Sequence, residues 1–276
     1  MSYNPAILRD VLRARSLSRN QLSQRLGIGQ DDLDRELERE PEPKQSILND
    51  IARELSLPVF VFSMRRAPPL HDSIPDFRSE TPGPSAKSRE TVDSIQFAEG
   101  VQKAAVEVRA VRADVKLPKS TTTKLSDVDD FALDVREYFG ITVEDQLGAK
   151  DARAFYVICR KKIEDKGIFV LHDSFPVSDG SGFCLAHEKY PVIVINTKQQ
   201  TRGRRLFTLA HELAHVLMQK TGISDPFVKQ NTVERLCNRF AGSFLVPESY
   251  LAALLKGSTP ANDPDVGDVW PGLRGA

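Results

Sequence analysis

Within LFTLAHELAHVLM, Leu206 to Met218, stand three residues whose types and spacing point directly to chemistry: His211, Glu212 and His215, as His-Glu-x-x-His. Side chains four apart on a helix lie one turn above each other on one face. His211 and His215 can therefore aim two imidazole nitrogens at one metal ion, at the roughly 2 Å Zn–N distance such sites use. Glu212, one position on, can lean beside the ion without binding it. That is where a general base takes a proton from water that the metal activates. The motif can arise by chance, but His and Glu on an otherwise apolar Ala/Leu-rich helix are costly to bury unless paired or metal-bound.

Two histidines do not complete a catalytic zinc site, which takes three protein ligands and leaves one position open. Zinc peptidases whose third ligand is a glutamate carry it on a later helix, some twenty residues on, and two downstream residues qualify, Glu234 and Glu248. Glu234 is favoured because it lies on an apolar-patterned stretch, about 230 to 244, marked by Val233, Leu236, Cys237, Phe240 and Phe244. Asn238 falls four residues later on the same face and can hydrogen-bond a ligand histidine, fixing its tautomer. Glu248 follows Pro247 at the helix end, a position more typical of a solvated cap. His187 is a lesser candidate, for a substrate or transition-state contact.

The elements that must hold these residues are legible from periodicity. Leu206, Leu209, Leu213, Val216 and Leu217 recur at helical spacing with no Pro or Gly among them. Upstream, residues 149–166 predict a helix with Phe155, Ile158, Cys159 and Ile163 on one face, stopped by Gly167. Three β-like runs follow at 168–171, 182–187 and 192–196, the second opened by an Asp179-Gly180-Ser181-Gly182 turn. Helical spacing also covers 89–113 and 131–139. The fold class is α+β.

Two further regions flank this one. Residues 65–88 are proline-rich and polar, an extended connector between a domain at 1–64 and one at 89–256. Phe77, a lone aromatic in that run, is a candidate to dock on the protein. After Gly257 the tail to 276 is turn-rich, with Trp270 as a possible anchor. Residues 5–62 predict a run of short helices, with Ser18 and Gln21 as a cap and Gly27 as a stop. Their order, closing in IARELSLPVFVF, resembles an XRE-type helix-turn-helix module. The third helix departs from what DNA binding requires. It would enter the major groove, yet residues 30–40 hold Asp31, Asp32, Asp34, Glu36, Glu38 and Glu40 against only Arg35 and Arg39.

The global charge excludes a general polyanion binder, since 38 basic residues balance 38 acidic ones. No apolar run is long enough to span a bilayer, and the N-terminus lacks the pattern of a signal peptide. Cys159, Cys184 and Cys237 are too few and scattered for a disulfide framework. A cytoplasmic protein with no membrane association is the expectation.

The run GIFVL, SGFCL, PVIVINT, RRLFTLAHELAHVL and VERLCNRFAGSFLVP is similar to the ImmA/IrrE family of zinc metallopeptidases, over about residues 130–250. The resemblance implies a thermolysin-like minimal peptidase fold with zinc held by His211, His215 and Glu234, and Glu212 as base. It also implies limited cleavage of a helix-turn-helix repressor, which switches on stress or phage-defence genes. One departure stands out: the family's glutamate/alanine pair before the Asn is here Leu236-Cys237, which leaves Glu234 in place. In a thermolysin-like arrangement the run 182–187 would be the edge strand of the cleft. Alternation then places Cys184 on the face that can look toward the zinc, as an inhibitory thiolate ligand, the simpler alternative being a buried cysteine. Lys116, Lys119 and Lys124, with Arg202 to Arg205, are candidates for binding single-stranded DNA as an activator. The competing reading of the whole chain is a DNA-binding regulator whose peptidase-like domain senses a signal or is autoproteolysed.

Overall fold

The computed structural model describes residues 2–68, 74–77, 85–110, 116–119, 127–225, 232–247 and 250–251. Glu248, Lys124, the Ser/Thr run at 120–123 and the tail 257–276 with Trp270 lie outside these residues. Contacts divide the chain into two compact units, one of Met1–Pro75 with Gly83–Phe97, the other of Asp76–Pro82 with Ala98–Ala276.

In the first unit, helices α1 (Pro5–Ala14), α2 (Arg19–Leu26), α3 (Gln30–Leu37) and α4 (Gln45–Glu54) precede a 3-10 turn at Val59–Ser63. The start of α2 is a capping box between Ser18 and Gln21, and Gly27 ends it in the left-handed conformation that favours glycine. Ile7, Val11, Leu22, Leu33, Ile51, Leu55 and Phe62 close a core of their own. The acidic side chains of α3 hold the neighbouring bases: Asp32 pairs with Arg35 at 3.0 Å, and Glu36 with Arg39 at 3.4 Å and Lys44 at 3.1 Å.

Helix α5 (Arg89–Glu107) carries residues of both units. The second unit continues with α6 (Val128–Phe139), α7 (Val143–Leu147), α8 (Ala152–Glu164), strands β1 (Phe169–Asp173), β2 (Gly182–Leu185) and β3 (Val192–Asn196), α9 (Arg202–Leu217), β4 (Gly222–Ser224) and α10 (Thr232–Leu245). The architecture is α+β with a small mixed sheet in the order β1-β3-β2-β4. Strands β1 and β3 run parallel, and β2 is antiparallel to both β3 and β4. The β-like runs of the sequence are β1 to β3; β4 is too short to show a period. Its presence corrects one expectation. The 182–187 run is not the edge of the sheet, because β3 and β4 pair with its two sides.

Why β2 and β3 read as unbroken apolar runs is now plain: every residue of both is buried. One face of the sheet carries α9, which also packs against α8 and α10. No helix of the described residues is long and apolar enough to cross a membrane.

Candidate metal centre

Helix α9 starts at Thr201, whose side chain accepts from Arg204 N. Its apolar face then buries Leu206, Leu209, Leu213, Val216 and Leu217. That packing carries His211, Glu212 and His215 inward, and all three are 0% exposed. Helix α10 packs on α9 and brings Glu234, also 0% exposed, to the same point. His211 Nε2 and His215 Nε2 are 3.1 Å apart. Glu234 places Oε1 3.0 Å from His215 Nε2 and Oε2 3.2 Å from His211 Nε2.

These separations suit a metal ion. A tetrahedron with bonds of ~2 Å has edges of roughly 3.3 Å. Three electron-rich atoms so close repel unless a cation lies among them. A proton on one Nε2 satisfies one pair, whereas a divalent cation satisfies all three. The tautomer agrees: Asn238 Oδ1 lies 3.0 Å from His211 Nδ1. Accepting from Nδ1–H, it leaves Nε2 bare for a ligand bond. Glu234 also fits as an anion. Burial opposes its ionisation most strongly, but the adjoining His211 and His215 imidazoles outweigh that and hold the carboxyl below its ordinary value.

Glu212 is placed differently. Its Oε1 accepts from Ser224 Oγ on β4, and its Oε2 is buried with no hydrogen-bond partner among the described residues. Burial pushes its carboxyl up to about 8, against the pull of His215 and the Ser224 hydroxyl. A cation at the adjoining donor set acts in the opposite sense and favours the ionised form. Oε2 is thus a buried polar atom whose partner the described residues do not supply.

The sequence did not single out the groups that hold this carboxyl group. Gly182 on β2 comes so close that a Cβ there would meet Glu212 Oε1 at 3.0 Å, Thr208 Cγ2 at 3.0 Å and Val194 O at 2.8 Å. Its place in the Gly180-Ser181-Gly182 turn was the available signal, and it read only as a turn. Ser224 gave no signal at all. Phe77, the lone aromatic of the connector, is buried, and its ring stacks on His215 with centroids 5.0 Å apart.

Cys184 falls out otherwise than the edge-strand argument expects. His211, His215 and Cys237 place their ligand atoms within 4.8 Å of one another, so the thiol of that group is Cys237, not Cys184. Cys184 is buried in the core on β2, and its Sγ donates to Lys220 O at 3.2 Å. Burial raises both thiols well above the usual range. His187 Nδ1 accepts from Lys189 N and Tyr190 N, both at 3.1 Å, so it organises its own turn. Four of the basic residues are engaged as well. Lys119 pairs with Glu188, Arg202 with Asp151, Arg204 with Ser181 and Asp225, and Arg205 with Thr197 O.

Neither the curated proteins nor the solved structures contain a match to this chain. Residues 163–261, which span the sheet, α9 and α10 and include all four residues of the centre, match the family model of the IrrE N-terminal-like domain, Peptidase_M78, and this region is thus similar to a family of metallopeptidases.

Proposed function

We propose that the chain is a zinc-dependent endopeptidase that makes limited, site-specific cuts in a helix-turn-helix transcriptional repressor. The observation that carries the enzymatic part is the buried meeting of His211 Nε2, His215 Nε2 and Glu234, with the unpartnered Oε2 of Glu212 beside it. The repressor as substrate, and the switching on of stress or phage-defence genes, rest on the resemblance to ImmA/IrrE proteins.

In this reading His211, His215 and Glu234 hold the zinc. When bound, the ion supplies Lewis acidity, which activates water and polarises the scissile carbonyl. Glu212 takes the proton of the attacking water on Oε2 and passes it to the leaving amine, while Ser224 fixes the carboxylate through Oε1. The apolar packing of α9 against α8, α10 and the sheet excludes bulk water, which strengthens every polar contact at the centre.

The alternative, a DNA-binding regulator, would need α3 in the major groove. There Arg35 and Arg39 are already paired with Asp32 and Glu36 on an acidic helix. Activation by single-stranded DNA is a secondary part of the proposal, and such a ligand would have to compete with the pairs made by Lys119 and Arg202.

The test is a set of variants read for metal and for cleavage. Glu212→Gln should keep zinc and lose at least about a hundredfold in cleavage of a repressor encoded beside it. His215→Ala and Glu234→Ala should lose zinc as well. Full cleavage by Glu212→Gln would end the peptidase mechanism. Salt-dependent DNA binding by a chain that cuts nothing would favour the regulator.

A further inference from the structure

The outer edge of β4 is occupied by the chain itself. Phe77 N–H donates to Ile223 O at 2.9 Å, and Asp76 forms a parallel bridge with Ile223. Both residues are only 5% exposed. The Phe77 ring lies nearly flat on the His215 imidazole, with an interplanar angle of 23°. The same strand carries Ser224, the residue that holds Glu212. Two residues from a proline-rich stretch thus sit against the strand and the imidazole on which the proposed chemistry depends.

Pairing with a sheet edge is a general way to hold an extended peptide. Main-chain hydrogen bonds provide affinity, and pockets for alternate side chains provide selectivity. Both features are present here, the bond to Ile223 and the stacked ring. Pro75 has no N–H and biases Ile74 before it toward extended backbone, which suits delivery of a strand.

We propose that the outer edge of β4 is the peptide-binding strand of this site. It takes an extended segment with an aromatic or bulky apolar side chain against His215, and Asp76–Phe77 fills it in cis as an internal inhibitor. The proposal rests on the peptidase reading for its consequence, but peptide binding can be measured without turnover. As part of the same chain, the segment competes at an effective concentration on the order of millimolar. A substrate must therefore offer a better strand and side chain than Asp76–Phe77, which explains selective rather than general proteolysis.

Binding is measured in Glu212→Gln protein with zinc supplied, using a fluorescent peptide that carries Ile-Pro-Asp-Phe between Gly/Ser flanks. Adding Phe77→Ala should tighten binding at least about tenfold, because the internal competitor is weakened. Replacing Phe by Ala in the peptide should abolish that gain. With Glu212 intact, Phe77→Ala should also cut an unfolded protein such as casein faster than the native chain does. Phe77→Leu, which keeps most of the apolar bulk, should show a smaller gain. Equal peptide binding with and without Phe77, in folded proteins, overturns the proposal. So does unfolding of both variants, which would make the segment a structural strand. A binding gain with no cleavage by any form keeps the peptide site and removes the peptidase reading. Cleavage by the native chain without a binding gain does the reverse.

Discussion

Asn238 decides which nitrogen of His211 is available, because its Oδ1 lies 3.0 Å from Nδ1 and Nε2 faces Glu234. Asn238→Ala should weaken zinc binding by about 10–100-fold while leaving the fold intact, as removal of such outer hydrogen bonds does elsewhere. Competition against a chelator of known affinity measures it, and unchanged affinity would mean that helix packing alone orients the ring. Gly182 acts on the other partner. In Gly182→Ala the new methyl meets Val194 O and Glu212 Oε1, one a backbone atom that cannot swing away. Zinc should remain and cleavage should fall, since the base moves and the donor set does not.

At the scale of elements, the centre exists because α10 is held against α9, and α6 does much of the holding. Asp129 on α6 accepts from Arg239 Nε at 2.8 Å and from Ser243 Oγ, both on α10. The Arg239 bond, the largest influence, holds the Asp129 carboxyl below its ordinary value against a smaller cost of burial. A depressed folded-state value stabilises above the unfolded one, about 3.9 for Asp, and the gain is lost as pH falls through the folded value. Asp129→Asn should therefore destabilise near neutral pH, by no more than about 1 kcal/mol for so exposed a pair. The difference from the native chain should vanish on acidification below that range, which urea unfolding at several pH values can follow. Arg136, buried on α6, donates to Phe244 O at 2.7 Å and Gln146 Oε1 at 3.1 Å, and so caps the end of α10. Arg136→Met leaves that carbonyl unpaired, at a cost of about 1–3 kcal/mol by urea unfolding. Zinc, bound as proposed, would link α9 to α10 in the same sense. At a thousandfold excess over its dissociation constant it should stabilise the second unit by about 4 kcal/mol, and chelation should reverse the rise in Tm.

For the whole molecule, each unit carries a hydrophobic cluster of its own. Removal of residues 1–64 should leave a chain that folds and binds zinc, read by metal content and a cooperative melt. Loss of zinc in that truncation would show that the first unit is needed to form the second. On α3 the acids Asp32 and Glu36 hold Arg35, Arg39 and Lys44, so under the proposed peptidase function the truncation should alter recognition of a protein substrate before it alters binding of DNA.

Local rules account for what the sequence could determine. A helix must follow from Leu206, Leu209, Leu213 and Val216, and that helix must stack His211 over His215; both depend on neighbours within one or two turns. Unbroken apolar runs had to become buried strands, as β2 and β3 are. That Glu234 and Asn238 share a face of α10 was legible for the same reason, from their spacing of four; that this face meets the histidines of α9 was not. Only the tertiary structure decided what depends on pairing between distant segments. β4 has three residues and no period, yet it displaces β2 from the sheet edge, moves Cys184 into the core and brings Ser224 to Glu212. Which sulfur lies near the histidines followed from how α10 crosses α9, and it was Cys237. Phe77 could be recognised as an aromatic in need of a surface, because a lone ring in a polar run gains by burial. That the surface would be the imidazole of His215 was fixed by one backbone hydrogen bond to Ile223, a contact between segments that no local pattern encodes.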